Sequence, residues 1–118
     1  MQNENPLKPR LIQFSVAIMR LAHKHAPDKV LYHVFNQVIR SSGSVGANIT
    51  EAHGAVTKAG FVRYFHIALQ SANETKYWLE VIAEYGIQES EEVKRLLNES
   101  DELIRILLAS LKTMKVRA

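Results

Sequence analysis

The sequence predicts an all-α protein that folds as an antiparallel, up-and-down four-helix bundle. Three observations point there. Four stretches carry apolar residues at helical spacing, they are separated by short segments marked by proline or glycine, and no β-rich run, internal repeat or low-complexity tract interrupts them. At 118 residues the chain has room for one domain with a sizeable core. Residues 10–118 are assigned to the bundle and residues 1–9, with prolines at 6 and 9, to a flexible lead-in.

The first helix is expected over residues 10–25. Leu11, Phe14, Ile18 and Leu21 form one apolar stripe, and Ile12, Val16 and Met19 form a second. Two stripes predict burial on two sides. Pro27 and Asp28 end the helix.

The second segment sets local propensity against phase. Ser41-Ser42-Gly43-Ser44-Val45-Gly46 reads as a loop, since each glycine costs a helix about 1 kcal/mol. Yet Leu31, Phe35, Val38, Ser42, Val45, Ile49, Ala52 and Val56 keep one 4,3 rhythm across it. A loop would not hold helical phase on both sides. The prediction is one helix of about 26 residues, roughly 39 Å long; a helix-loop-helix split near Gly43 is the competing reading. In the continuous helix, Gly43, Ala47, Thr50 and Gly54 form a stripe without bulk, expected to admit another helix backbone closely.

Thr57 is the expected N-cap of the third helix and Gly86 its stop. Phe61, Phe65, Ala68, Ala72, Thr75, Leu79 and Ile82 form its main seam; Tyr64, Ile67, Ser71, Glu74, Trp78, Val81 and Tyr85 form a second. The fourth helix starts near Ser90, with Glu91 and Glu92 in its first turn and Lys112, Lys115 and Arg117 at its end, a distribution that suits the helix dipole. Its expected buried face is Val93, Leu97, Ser100, Ile104, Leu107, Leu111 and Met114. Short connections between helices of similar length make neighbours antiparallel, and the heptad seams predict crossing angles near +20°.

Catalytic signatures are sparse. Without cysteine there is no disulfide or thiolate chemistry, which suits a cytoplasmic chain. The run from Leu11 to Ala22 contains Gln13 and Arg20 and is too short to span a membrane. No two of the five histidines stand at i,i+4, and no Glu-x-x-His occurs, so neither a zinc helix nor a carboxylate-bridged di-metal bundle is expected. No cofactor is implied. Arg20 and His25 stand at the Arg-x4-His spacing of helical ribonucleases of the HEPN class, a short pattern that also arises by chance and that those enzymes carry late in their bundle. A solvated basic helix end explains it more simply.

Two sets of residues remain as candidates. The net charge is +3, and residues 1–57 hold six Lys or Arg against three acids, whereas residues 58–118 hold nine of each. Lys8, Arg10, Arg20, Lys24, Lys29 and Arg40 are therefore the candidate polyanion contacts. Polar residues on otherwise apolar stripes form the second set: Arg40, Ser44, Asn48 and Glu51 on the second helix, with Tyr64, Ser71 and Glu74 on the third. A buried carboxylate is costly unless bonded, so these are read as a structural network that fixes helix register. A ligand pocket between helices is the alternative.

The string Arg40-Ser41-Ser42-Gly43-Ser44-Val45-Gly46-Ala47-Asn48-Ile49-Thr50-Glu51-Ala52 resembles the second-helix signature of the bacterial four-helix bundle protein family. That family is also known as the large-subunit rRNA intervening-sequence, or S23 ribosomal, protein family. Phe61-Val62-Arg63-Tyr64-Phe65-His66-Ile67-Ala68-Leu69-Gln70-Ser71-Ala72-Asn73-Glu74 resembles its third helix. Departures are Gly46 for a common proline, Ala52 for a usual glycine, and His53-Gly54 for a Gly-aromatic step. The resemblance spans roughly residues 10–115. It implies a homopentameric ring with no enzymatic activity, associated with nucleic acid. Members are encoded inside rRNA intervening sequences, and relatives act beside reverse transcriptases in diversity-generating retroelements. The expected function is that of an oligomeric accessory protein bound to RNA or to a reverse-transcriptase ribonucleoprotein, with a protein-binding scaffold as the alternative.

Overall fold

The computed structural model describes residues 6–117, and the side chains of residues 6–114. Four helices follow one another: α1 (Leu7–Lys24), α2 (Lys29–His53), α3 (Lys58–Tyr85) and α4 (Ser90–Arg117). They pack into a rod of 47 × 23 × 20 Å, the antiparallel four-helix bundle that the periodicities predict.

α1 begins three residues earlier than its sequence suggests. Leu7, Lys8 and Pro9, assigned to the flexible lead-in, form its first turn behind Pro6 at the N-cap. The first N–H groups of a helix have no intrahelical acceptor, so a proline there forfeits no bond. Residues 1–5 of that lead-in lie outside the described residues. At the other end Asp28 caps α2, its Oδ1 accepting from the N–H groups of Val30 and Leu31 at 3.0 and 3.1 Å.

α2 is one continuous helix of 25 residues through Gly43 and Gly46. The split does not occur, because Phe35, Val38, Val45 and Ile49 bury on one line on both sides of the glycines. The rhythm stops at Ala52, and Val56 stands fully exposed in the connection to α3. The bulk-free stripe is placed differently from expectation. Gly43, Ala47, Thr50 and Gly54 all face solvent, and beyond its own turns of helix nothing lies within 4 Å of where a Gly43 Cβ would stand. Phase on a helix identifies a face but not its neighbour, and a stripe of small residues reads alike against protein or water. The close approach is at Gly46 instead, where a Cβ would meet Leu11 Cβ at 3.6 Å, an ordinary contact.

Thr57 caps α3, its Oγ1 accepting from the Gly60 N–H at 3.0 Å. Gly86 ends the helix at φ +87°, a conformation that costs glycine nothing. Every expected residue of the main α3 seam is buried except Phe61, which is half-buried. On α4 the buried line runs through Val93, Leu96, Ser100, Leu103, Leu107 and Leu111, while Leu97, Ile104 and Met114, expected on the buried face, are half-buried at its edge. The second α1 stripe is not covered: Ile12 is 54% exposed and Met19 53%, and only Val16 is half-buried.

α2 and α3 share the most extensive contact, while α1 rests on α2 and only sparsely approaches α4. That gap is bridged by polar side chains, which brings several candidate residues together.

Candidate nucleic-acid interface and the polar seam

The six candidate cations have different surroundings. Arg10 is committed within the protomer: its Nε donates to Glu99 Oε2 at 2.6 Å and its Nη2 to Glu99 Oε1 at 2.8 Å and Glu102 Oε1 at 2.7 Å. This forked contact holds the Glu102 carboxyl below its ordinary range and makes Arg10 still harder to deprotonate. Lys24 Nζ lies 3.8 Å from Glu92 Oε1, and next to it His25 Nε2 lies 2.7 Å from Glu89 Oε1. The His25 hydrogen bond depresses the Glu89 carboxyl in turn. α1 is thus joined to α4 and its leading connection by a row of charged and polar contacts. Residues 5–27 contain no acid, but the fold supplies four from elsewhere in the chain. Lys8, Arg20 and Lys29 are exposed and make no ion pair among the described residues; Arg40, also exposed, donates to Gln37 Oε1 at 3.3 Å.

The Arg-x4-His spacing does not assemble a site. His25 lies just beyond the end of α1, its ring stacked on Phe35 with centroids 5.8 Å apart and its Nε2 on Glu89. Both contacts tie it to the core edge, while Arg20 is exposed. Among the described residues, no three metal-ligating side chains gather.

The polar network exists with a different membership. Ser71 Oγ donates to Ser44 Oγ at 2.9 Å, joining α3 to α2, and Asn48 Nδ2 donates to the Ser44 carbonyl at 2.8 Å and to its Oγ at 3.1 Å. One turn away, Thr75 Oγ1 lies 2.8 Å from Ser41 Oγ and donates to the Ser71 carbonyl at 2.8 Å. Thr75 and Ser41 were not among the candidates, yet both are buried. Thr75 was legible only as a member of the apolar seam, where a hydroxyl must find a partner. Glu51, by contrast, is exposed and bonds to none of these groups. Glu74 is exposed as well, accepting only from Trp78 Nε1 at 3.1 Å, and Tyr64 is half-buried outside the network. Both carboxylates remain in water, so neither carries the burial cost that motivated its selection. Arg40, Ser41, Ser44, Ser71 and Glu74 do line one shallow polar groove, of about 280 Å³, over the hydroxyl pairs.

The profile of the family described as 23S rRNA-intervening sequence protein matches residues 8–109. The chain belongs to that family. A crystal structure from Bacteroides thetaiotaomicron VPI-5482, of a protein of unknown function from the S23 ribosomal protein family, is 34% identical to it. The alignment covers 89% of this chain and 97% of that one, with a TM-score of 0.79. No curated protein matches. The 23S rRNA-intervening sequence protein match takes in all of α1 but its first residue, all of α2 and α3, and most of α4, so it covers both the ionic α1–α4 seam and the hydroxyl seam. No helix among the described residues is long and apolar enough to cross a membrane.

Proposed function

We propose that the protein is a non-enzymatic, homo-oligomeric accessory protein that engages nucleic acid, RNA foremost, through its surface cations. The uncovered second stripe of α1 carries the assembly part of this reading. Ile12 and Met19 are more than half exposed, and Ile12 with Gln13, Val16, Ala17 and Arg20 borders a broad groove of about 420 Å³ against Glu92. An apolar stripe that the protomer leaves in water is the kind of surface a second copy covers. Five copies in a ring, the assembly that the family resemblance implies, would carry 5 × 3 = +15 of formal charge. Repetition of that kind turns a weak contact into a useful one. The family's name links its members to intervening sequences of 23S rRNA, which makes RNA the first probe. A reverse-transcriptase-type ribonucleoprotein is the corresponding protein partner, within the cytoplasm.

Light scattering at micromolar concentration should give a mass near five protomers. A stable monomer would remove the ring. Fluorescence anisotropy with single-stranded RNA should show binding that falls steeply with salt, because each neutralised phosphate releases counterion. An intact oligomer that binds neither RNA nor DNA at low salt would leave a protein-binding scaffold as the better reading.

A further inference from the structure

The antiparallel topology sorts the chain's charge between the two ends of the rod. One end collects the start of α1, the finish of α2, the connection over residues 54–57, the first half of α3 and the second half of α4. With each helix divided at its midpoint, the described side chains at that end are Lys8, Arg10, Lys58, Arg63, Arg105 and Lys112 against Glu51 alone. The other end holds seven cations against ten carboxylates. A net +3 therefore conceals a strongly bipolar rod.

Ion pairing occurs at both ends: Arg10 is held by Glu99 and Glu102, while at the acidic end Arg20, Lys29, Arg40 and Arg95 have no carboxylate at ion-pair distance among the described residues. At the acidic end Lys24, Lys76 and Lys94 have carboxylate partners. At the basic end Lys8, Arg63 and Lys112 are exposed and have no carboxylate at ion-pair distance among the described residues. Arg63 and Lys112 also stand close in height. The Lys76–Asp101 ion pair, 2.7 Å long, sets the α3–α4 register. Thirteen residues back from Lys76 is Arg63, and eleven on from Asp101 is Lys112, so the two lie within about one turn of the same level. Arg63 and His66 flank a shallow, mostly apolar depression floored by Ala59 and Val62.

We infer that this end of the bundle, centred on Arg63 and Lys112, is the surface that receives the nucleic-acid backbone. The inference rests on the nucleic-acid reading above and assigns it a place. Lys24, three turns of α1 beyond Gln13, stands instead in the acidic half. In a closed cyclic ring whose rods stand along the axis, every basic end points to the same side and forms one continuous cationic rim. Phosphates meeting that rim find Lys8, Arg63 and Lys112 with no carboxylate partner to displace.

The test uses the full chain, a 20-nucleotide single-stranded RNA, an RNA duplex of that length, and phosphatidylserine vesicles. Arg63→Glu with Lys112→Glu changes exposed residues, and circular dichroism and light scattering should report an unchanged fold and assembly. Affinity for RNA should fall about tenfold or more, with a shallower salt dependence. Arg20→Glu with Lys24→Glu should cost less than about threefold. Wild-type binding that survives the first pair of changes and is lost with the second would overturn the placement and leave the proposed function standing. No wild-type binding to either RNA at low salt would overturn the function itself. Tighter binding to vesicles than to RNA would overturn the partner.

Discussion

Gly43 offers a sensitive measure of whether the exposed face of α2 stays exposed. It lies in the middle of a 25-residue helix, with nothing beyond its own turns of helix within 4 Å of a Cβ built on it and a helical backbone that any residue can adopt. Glycine in a helix interior costs about 0.8–1 kcal/mol relative to alanine, mostly through the freedom it retains when unfolded. Gly43→Ala should therefore stabilise the protein by about 0.5–1 kcal/mol. With an unfolding entropy of about 2.1 cal/mol/K per residue, the 118-residue chain should melt roughly 2–4 °C higher. Urea denaturation would show a higher midpoint at unchanged slope. Ala47→Leu, on the same exposed face, should stay within about 0.5 kcal/mol of neutral. Destabilisation by both changes would show that this face is covered in the assembled protein and that the protomer alone is the wrong frame. No effect from Gly43→Ala would mean that α2 is not firmly helical there.

Three further outcomes follow from the packing and the ionic seam. Glu89 and Glu102 have carboxyl groups held below their ordinary value of 4.5, so each contributes stability that is complete above that value and is lost as pH falls through the depressed one. The melting temperature should hold from pH 7 to about 5 and drop below about 4.5; a flat profile down to pH 3 would show that neither contact contributes. Arg10→Met should cost about 1 kcal/mol in low salt and less in 1 M NaCl, since the forked contact is partly exposed; equal cost in both would point to lost packing instead of lost charge. Ala68→Leu, fully buried on the α3 seam, should overpack and cost about 1–3 kcal/mol, and a neutral result would mean the core there is loose.

Most of the fold was written in phase. Thr57 and Gly86 marked α3 within a residue, and the 4,3 rhythm through Gly43 and Gly46 correctly outweighed their poor helix propensity. Helical stability in a bundle comes mainly from burying an apolar face, so Val38 on one side and Val45 on the other carry the helix across the glycines between them. What phase could not supply was the identity of each neighbour. The stripe at Gly43 and Ala47 and the stripe at Ser41, Ser42 and Ala52 are both small-residue faces of one helix, yet only the second meets other helices. Proline at position 9 misled for a related reason: it breaks a helix only where an acceptor awaits its N–H, and the first turn has none.

The candidate site was less legible, because charge is read along a chain but acts across a fold. Counted by sequence halves, the excess of cations falls in residues 1–57, and α1 looks like the basic element. Folding reverses that reading in two ways. It lays the acid-rich first half of α4 against α1, where Glu99 and Glu102 capture Arg10. It also brings the charge-balanced second half of the chain back on itself, so that the cations at the start of α3 and the finish of α4 meet at one end while their acids meet at the other. A segment with nine charges of each sign stays neutral in sum, but folding separates the signs in space. Folded antiparallel, with Arg63 near the start of one helix and Lys112 near the finish of the next, it becomes the principal source of the basic end. Antiparallel pairing places the start of each helix beside the finish of its neighbour. A charge gradient that runs one way along α3 and the opposite way along α4 therefore adds across the pair instead of cancelling.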